Sequence, residues 1–491
     1  MPQKTALIIG AGIAGIATAI RLAVKGYSVE IFEANNYPGG KLSAFSQDGY
    51  RFDAGPSLFT MPQYVDELFK LAGKNPVDFF TYQKLEVVCQ YFYEDGSKLT
   101  AYADAEKLAN EIHKVTGEPV KAVKKYLANS RNIYDITNHV FLERSLHRLK
   151  TYLNRQTFKS ILHLRQIDAW RTMHKANACY FKDARLVQLF DRYATYNGSN
   201  PYTAPATLNV IPHLEQHYGA YFPDGGMHSI TTALVSLAHS LGVRFNYNSR
   251  VDEVVLQDNK AKGIKVNGEL IKSDIVVSNM DVWFTYHRLL KNHPHLHPQN
   301  ILRQERSSSA LIFYWGIKKQ FAALNLHNIF FSADYKAEFD HIWKENNIYH
   351  DPTVYLNISA RHKPDDAPLG CENWFTMINV PANTGQNWDN LIATARNNII
   401  TKLSRLLGED IAALITCESI LDPRSIESKT SSYQGSLYGT SSNSQFAAFL
   451  RHTNKSSKIK GLYFCGGSVH PGGGIPLCLL SAKIVSEWVD E

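Results

Sequence analysis

The sequence predicts an α/β protein. A doubly wound, Rossmann-like nucleotide-binding domain is assembled from separated stretches of chain, and a mixed α+β domain with a helical insertion lies over it. Three observations predict this. A strand, a glycine turn, a helix and a second strand ending in an acid occupy Thr5 to Glu33, and a buried strand running through glycines into a helix starts at Leu462. The stretches between them are long and rich in aromatic strands, unlike the crossover connections of one parallel sheet. At 491 residues the chain also exceeds what one ordinary core holds.

Ala6 to Ile9 form a short apolar run suited to a buried parallel strand, and Gly10-Ala11-Gly12-Ile13-Ala14-Gly15 follows at once with G-x-G-x-x-G spacing. Gly10 permits the tight turn, Gly12 lets backbone approach a pyrophosphate, and Gly15 lets the helix lie close to the strand. The helix Ile16 to Val24 then presents its N-terminal amides to phosphate, and Gly26 ends it. Val29 to Phe32 form the second strand, and Glu33, eighteen residues past Gly15, stands where a carboxylate accepts ribose hydroxyls. The reading is a dinucleotide clamp. A secretory signal, which Lys4 before an apolar run would resemble, ends at a small-residue cleavage site and has no use for an acid-ended second strand. Gly39-Gly40-Lys41 adds more backbone amides and a cation for the same pyrophosphate, followed by Tyr50 to Ser57.

Composition narrows the class. Hydrophobic residues at 44% and charged residues at 20% describe a globular chain, and no apolar run reaches the ~20 residues of a transmembrane helix. The six cysteines (Cys89, Cys179, Cys371, Cys417, Cys465 and Cys478) form no C-x-x-C pair and no zinc-type spacing with histidine. They read as reduced thiols of a cytoplasmic protein without a metal site. The net charge of +7 is not a nucleic-acid signal in itself. Its distribution is more informative: Ser145 to Leu186 holds nine Lys and Arg against two Asp, an excess equal to that of the whole chain. Leu146, Leu149, Leu153, Ile161, Leu162, Leu164, Ile167 and Trp170 interleave at helical spacing. The segment reads either as basic amphipathic helices for an anionic membrane surface or as a solvated face packed on a core.

Along the rest of the chain, Leu58 to Lys74 predicts a short helix ending at Gly73, and residues 80–103 predict a hairpin turning at Asp95-Gly96. Helical patterns run from about Ala105 to Asp191, then Asn197 to Pro205 is a loop. Gly225-Gly226 precede a helix from Ile230 to Leu241, strands follow at Gly242 to Phe245 and Ser249 to Val254, a hairpin turns at Asn267-Gly268, and Asp274 to Asn279 closes the sheet. Strands rich in aromatics at Ser309 to Gly316 and Trp374 to Val380 either line a long apolar tunnel or form ordinary sheet core, and Trp388 to Leu407 is an amphipathic helix. The cofactor part is thus expected from residues 1–80, 215–285 and 431–491, and the substrate part from 81–214 and 286–430, with 105–191 as its helical, membrane-facing insertion.

Near the C-terminus, Leu462 to Leu477 carries a strand into Gly466-Gly467, His470-Pro471-Gly472-Gly473-Gly474 and then Ile475-Pro476-Leu477 at a helix start. Amides and a helix dipole again face an anionic group, and Pro476 suits the first helical turn. With the glycine motif, Glu33, Gly39 to Lys41, Phe52 to Ser57 and Gly225 to Met227, this ending resembles the FAD-binding amine-oxidase and carotenoid-desaturase superfamily from end to end. It is similar to bacterial-type carotenoid desaturases in its H-P-G-x-G-I-P turn before an L-x-S-A helix. By overall likeness the 1-hydroxycarotenoid 3,4-desaturases come first and the phytoene desaturases next. Asp224 departs from the family's pattern, which has a basic residue before G-G-M.

The resemblance implies FAD held by Gly10, Gly12, Ile13, Ala14, Gly15 and Glu33 at one end, and by Gly40, Lys41, Ser57 and Leu58 beside it. It implies further contacts from Val251 and Asn279, and from Gly466, Gly467, Gly474, Ile475 and Leu477 at the flavin end. It also implies removal of a hydride and a proton from an apolar polyene at a membrane surface. Electrons would pass to a quinone or oxygen, since no second dinucleotide motif is present. Glu143, Arg144, His174 and His470 are candidate polar partners, none of them assigned a catalytic role. A flavin amine oxidase, with a covalent link through Cys465 or Cys478, and a non-catalytic flavin- or lipid-binding protein remain the competing readings.

Overall fold

The computed structural model describes residues 3–138, 144–145, 148, 151, 163–444 and 450–489. Five parallel strands make the sheet that begins with the glycine motif, in the order Arg244–Asn246, Ser28–Phe32, Thr5–Ile9, Ile275–Ser278, Leu462–Phe464. Chain segments 186 and 269 residues apart thus pair edge to edge. One face is covered by helices Ile13–Val24, Ser229–Ser240 and Ile475–Trp488. The other is covered by the antiparallel strands Val251–Gln257, Lys260–Val266 and Glu269–Lys272, against which Leu7, Ile9 and Val276 pack. Both faces being dry explains why Ala6 to Ile9 and Ile275 to Val277 are continuous apolar runs.

A second, mixed sheet of seven strands runs Ile415–Leu421, Ser309–Ile317, Glu372–Val380, Val354–Asn357, His327–Phe330, Val87–Phe92, Lys98–Tyr102. Its pairings are antiparallel except between His327–Phe330 and Val87–Phe92. Strand alternation decides the fate of its aromatics. Phe313, Trp315 and Trp374 point into a core with Ile399 and Leu403 of helix Trp388–Leu407. Ile312, Tyr314, Phe375 and Met377 line a cavity on the opposite face. The aromatic strands are therefore core on one side and tunnel wall on the other, with most of the aromatic bulk in the core.

The helical stretch contains Ala105–Thr116, Val120–Thr137, Met173–Tyr180 and Ala184–Asp191. Asp104, Thr172 and Asp183 cap three of these, each accepting an N–H of the first turn. Gly117, with φ 75°, ends the first in the left-handed conformation that glycine adopts without strain. Two local expectations change. The helix expected from Leu58 starts only at Gln63, because Phe59–Thr60 pairs as a strand with Ala220–Tyr221 and Pro62 marks the entry. Tyr82–Lys84 leaves the predicted hairpin to join the same small sheet, so the hairpin proper is Val87–Phe92 with Lys98–Tyr102.

A charged bridge on the small strand Tyr50–Asp53 ties the helix layer of the parallel sheet to the turn Pro364–Asp366 of the second part. Arg51 reaches Asp53 at 2.8 Å and the fully buried Asp366 at 3.2 Å. Asp53 in turn accepts the backbone N–H groups of Met227 and His228 at the entry to helix Ser229–Ser240. Removing the guanidinium would leave Asp366 with Lys363 as its one ionic partner among the described residues. We expect Arg51→Met to cost about 2–3 kcal/mol, below the ~3–5 of a fully buried pair because Lys363 remains. Urea unfolding of the purified protein measures it.

Candidate functional site

The first two glycine turns meet. Gly39 N–H donates to Ala11 O at 2.8 Å, Gly12 and Gly39 form an isolated β-bridge, and a Cβ on Gly40 would lie 3.5 Å from Gly12 Cα. Gly15 does what its spacing predicts, since a Cβ there would sit 2.3 Å from Gly10 O. The Asn279 side chain is wedged into the same knot: Cβ atoms on Gly12 and Gly466 would come within 2.5 and 2.7 Å of it. One asparagine thereby fixes the spacing between the N-terminal and C-terminal glycine turns.

These turns open onto a cavity of about 1120 Å³. Gly10, Gly12, Ile13, Ala14, Glu33, Gly40, Lys41, Ser57 and Leu58 all line it, as do Val251, Asn279, Gly466, Gly467, Gly474, Ile475 and Leu477. Gly15 does not, since its part is to let the helix approach. Glu33 is almost fully buried; Oε2 accepts the Ala11 N–H at 2.7 Å and Oε1 accepts from the Asn35 backbone and side chain at 2.9 and 2.8 Å. These bonds hold the carboxylate at the cavity wall with lone pairs to spare.

Lys41 is also at the wall, and its ammonium donates to Leu437 O at 2.9 Å and Ser436 O at 3.2 Å, leaving one proton for the cavity. Burial pushes Lys41 down to about 8, with Asp281 pulling the other way. Arg451, 1% exposed, binds Tyr438 O, Gly467 O, Thr440 O and Asn197 Oδ1 at 2.9–3.3 Å and pins the 437–440 strap to the C-terminal glycine turn. Two cations thus stand beside that turn. The Cys478 thiol lines the cavity and is raised to about 11 by burial; Cys465 lies behind and is raised to about 12.

The electrostatic signature is at the helix starts. Helices Ile13–Val24 and Ile475–Trp488 begin at Gly12 and Gly474, with no side-chain cap and no acid in the first turn. Helices starting after Asp104, Asp183, Asp334 and Asp422 are capped by those aspartates. The two uncapped amide clusters face one cavity, each an anion site in waiting. Ser436, also at the wall, has its Oγ buried without a hydrogen-bond partner among the described residues. A large dinucleotide fits this set: a diphosphate on the first turn, ribose at Glu33, and a second electron-rich group at Gly474.

Other candidates fall elsewhere. His174 pairs with Asp191 at 2.7 Å, and His470 Nε2 contacts Arg144 O at 2.8 Å; neither lines the cavity. Glu143 lies outside the described residues. Asp224, where the resemblance leads one to expect a base, is exposed and away from the wall. Cavity residues that motif reading missed are Asn35, Arg192, Glu215, His327, Tyr355 and Arg451. No spacing in the sequence joins them; only the paired strands and the buried strap bring them to the wall.

The family model for flavin-containing amine oxidoreductases matches residues 13–489. The chain is 50% identical over 487 residues to a 1-hydroxycarotenoid 3,4-desaturase of Flavobacterium sp. (strain P99-3), covering 99% of each. It is 33% identical over 494 residues to a 4,4'-diapolycopene oxygenase of Methylomonas sp, covering 99% of this chain and 98% of the other. Among solved structures, a wild-type putrescine oxidase bound to putrescine matches with a TM-score of 0.63 and 14% identity over 99% of both chains, which is a likeness of fold.

The site makes a prediction. Gly15→Ala places a methyl against Gly10 O and should drive the helix off the strand, so the protein should purify with little bound flavin. Glu33→Ala should weaken retention by the ~1.5–3 kcal/mol of hydrogen bonds to a charged group. Flavin absorbance per polypeptide after gel filtration reads both.

Proposed function

The chain belongs to the flavin-containing amine oxidoreductase family, and on that premise we propose that it is an FAD-dependent carotenoid desaturase, extending the polyene of a linear hydroxylated carotene. The observation that carries this reading is the end-to-end identity with the Flavobacterium desaturase. The cavity supports it. One end is built for a dinucleotide, and the other is walled by Ile312, Ile329, Phe375, Met377 and Leu421 of the large sheet.

FAD would be held by the Gly10–Gly12 turn and the amides of Ile13 and Ala14, by Glu33, Gly40 and Lys41, and by Val251 and Asn279. Ser57, Leu58, Gly466, Gly467, Gly474, Ile475 and Leu477 would border its ring end. When bound, FAD supplies the acceptor for the hydride that leaves the polyene. The protein aligns an apolar chain along the sheet wall and excludes water, so that a carbocation spread over the polyene is not captured. Residues 1–80, 215–285 and 431–491 serve as the cofactor part, and 81–214 with 286–430 as the substrate part. The strand composition of the two large sheets supports this division. Electrons leave to a quinone or oxygen.

The segment Ser145–Leu186 attaches the enzyme to anionic membrane. Much of it lies outside the described residues. In the described part, Trp170 is 71% exposed and Lys175 and Lys182 face solvent. Its positive excess is partly spent within the fold, because Arg148 pairs with Glu487, Arg171 with Asp168, and Arg185 with Asp183 and Asp95. Among the described residues no helix is long and apolar enough to cross a membrane.

Two measurements test these readings. Supplied with 1-hydroxylated and non-hydroxylated carotenes, the holoprotein should give a longer-wavelength product lighter by a hydrogen pair. A product that has gained oxygen would make it an oxygenase, and no product would remove the desaturase reading. Sedimentation with liposomes should rise with anionic lipid and fall with salt, since surface attraction is screened over ~8–10 Å at 0.1–0.15 M.

A further inference from the structure

The sheet wall of the cavity carries a hydrogen-bonded polar cluster. Strand His327–Phe330 turns His327 and Ile329 toward the cavity, and strand Val354–Asn357 brings Tyr355 beside them. His327 Nδ1 sits 2.8 Å from Tyr355 OH, which sits 2.7 Å from Ser57 Oγ. Asn357 Nδ2, a donor already bonded to Leu326 O at 3.1 Å, is 3.2 Å from the same Nδ1. An amide nitrogen facing Nδ1 makes that atom the acceptor, so the network assigns the ring's proton to Nε2.

Nε2 is buried and has no hydrogen-bond partner among the described residues, in a ring only 3% exposed. Burial, with His362 and Arg192 nearby, pushes the imidazole down to about 3, so it stays neutral. Arg192 also lines the cavity. Its terminal nitrogens hold Tyr196 OH at 2.9 Å and Tyr91 OH at 2.7 Å, while Nε has no partner among the described residues. Glu215, 3.7 Å from Arg192, balances its charge and accepts the hydroxyls of Tyr193 and Tyr196 at 2.5 Å. A buried N–H without an acceptor costs about 1–3 kcal/mol. Both side chains line one cavity, and an oxygen on a ligand there would complete these two donors.

We propose that His327, backed by Asn357 and Tyr355 and assisted by Arg192, is the residue that reads the hydroxyl of the substrate polyene. The inference rests on the carotenoid reading above and deepens it. A hydroxyl on carbon 1 lies close to a bond between carbons 3 and 4, so its recogniser must stand beside the reacting carbons and not at the far end of the chain. His327 meets that demand, since two hydrogen bonds connect it to Ser57, which is assigned to the border of the cofactor. The Arg192–Glu215 pair is neutral overall, which suits an uncharged oxygen over a carboxylate.

The test uses holoprotein of wild type, His327→Leu and His327→Gln with equal flavin content, and a 1-hydroxylated carotene beside the same carotene lacking the hydroxyl. His327→Leu should lose about tenfold to a hundredfold in kcat/KM for the hydroxylated carotene and keep its rate on the hydrocarbon. Its Kd for the hydroxylated carotene, read from the shift of polyene absorption on binding, should rise with the loss in kcat/KM. His327→Gln, whose amide reaches toward the Nε2 position, should retain the preference. Equal slowing of both substrates, or slowing of neither, overturns the inference alone. Wild-type protein that converts neither carotene overturns the carotenoid reading, and this inference with it.

Discussion

Two helix N-termini left without side-chain caps, opening on one cavity, are the constraint that the rest of the structure serves. Their amides are completed by water or by an anionic or electron-rich group, and among the described residues no N-cap side chain and no first-turn acid does so. The glycines at Gly12 and Gly474 exist so that such a group can approach backbone directly. Asn279, wedged among Gly12, Gly15 and Gly466, makes the two turns a single unit. The parallel sheet is what allows this, because its strands from Thr5, Ile275 and Leu462 deliver the first glycine turn, Asn279 and the C-terminal glycine turn to the same edge.

The second sheet converts that clamp into a reaction chamber. Its strands are covered on one side by Trp388–Leu407, which absorbs Trp315 and Trp374, and their other faces roof the cavity. A flat apolar roof is indifferent to where along a polyene it binds. Position must therefore come from the few polar groups on it, and the strands place those groups together: His327, Tyr355 and Asn357 are on adjacent strands, with Arg192 presented by the helical segment opposite. The charged bridge from Arg51 to Asp53 and Asp366 holds roof and clamp at a fixed separation.

Charge on the helical segment shows how a sequence total can mislead. Nine basic residues concentrate there, yet at least three are neutralised by partners that include distant residues, Glu487 and Asp95. Exposed Trp170 with Lys175 and Lys182 keeps an amphipathic character on the described part of the surface.

The sequence by itself determined the nucleotide clamp, because each of its parts is local: strand, glycine spacing, helix and acid lie within thirty residues, and the C-terminal turn within sixteen. Such patterns are legible since the backbone conformations they require admit few residue types. It could not determine which aromatics form core and which form wall, since alternation in a strand marks two faces without saying what covers either. Nor could it reveal that Lys41 spends two protons on the 436–437 carbonyls, that Asn279 joins three glycines, or that His327 meets Asn357 and Tyr355. Those contacts span from about 30 to almost 400 residues of chain. Only tertiary structure decides them, because strand pairing between distant segments sets register, and register sets which side chains face the same space.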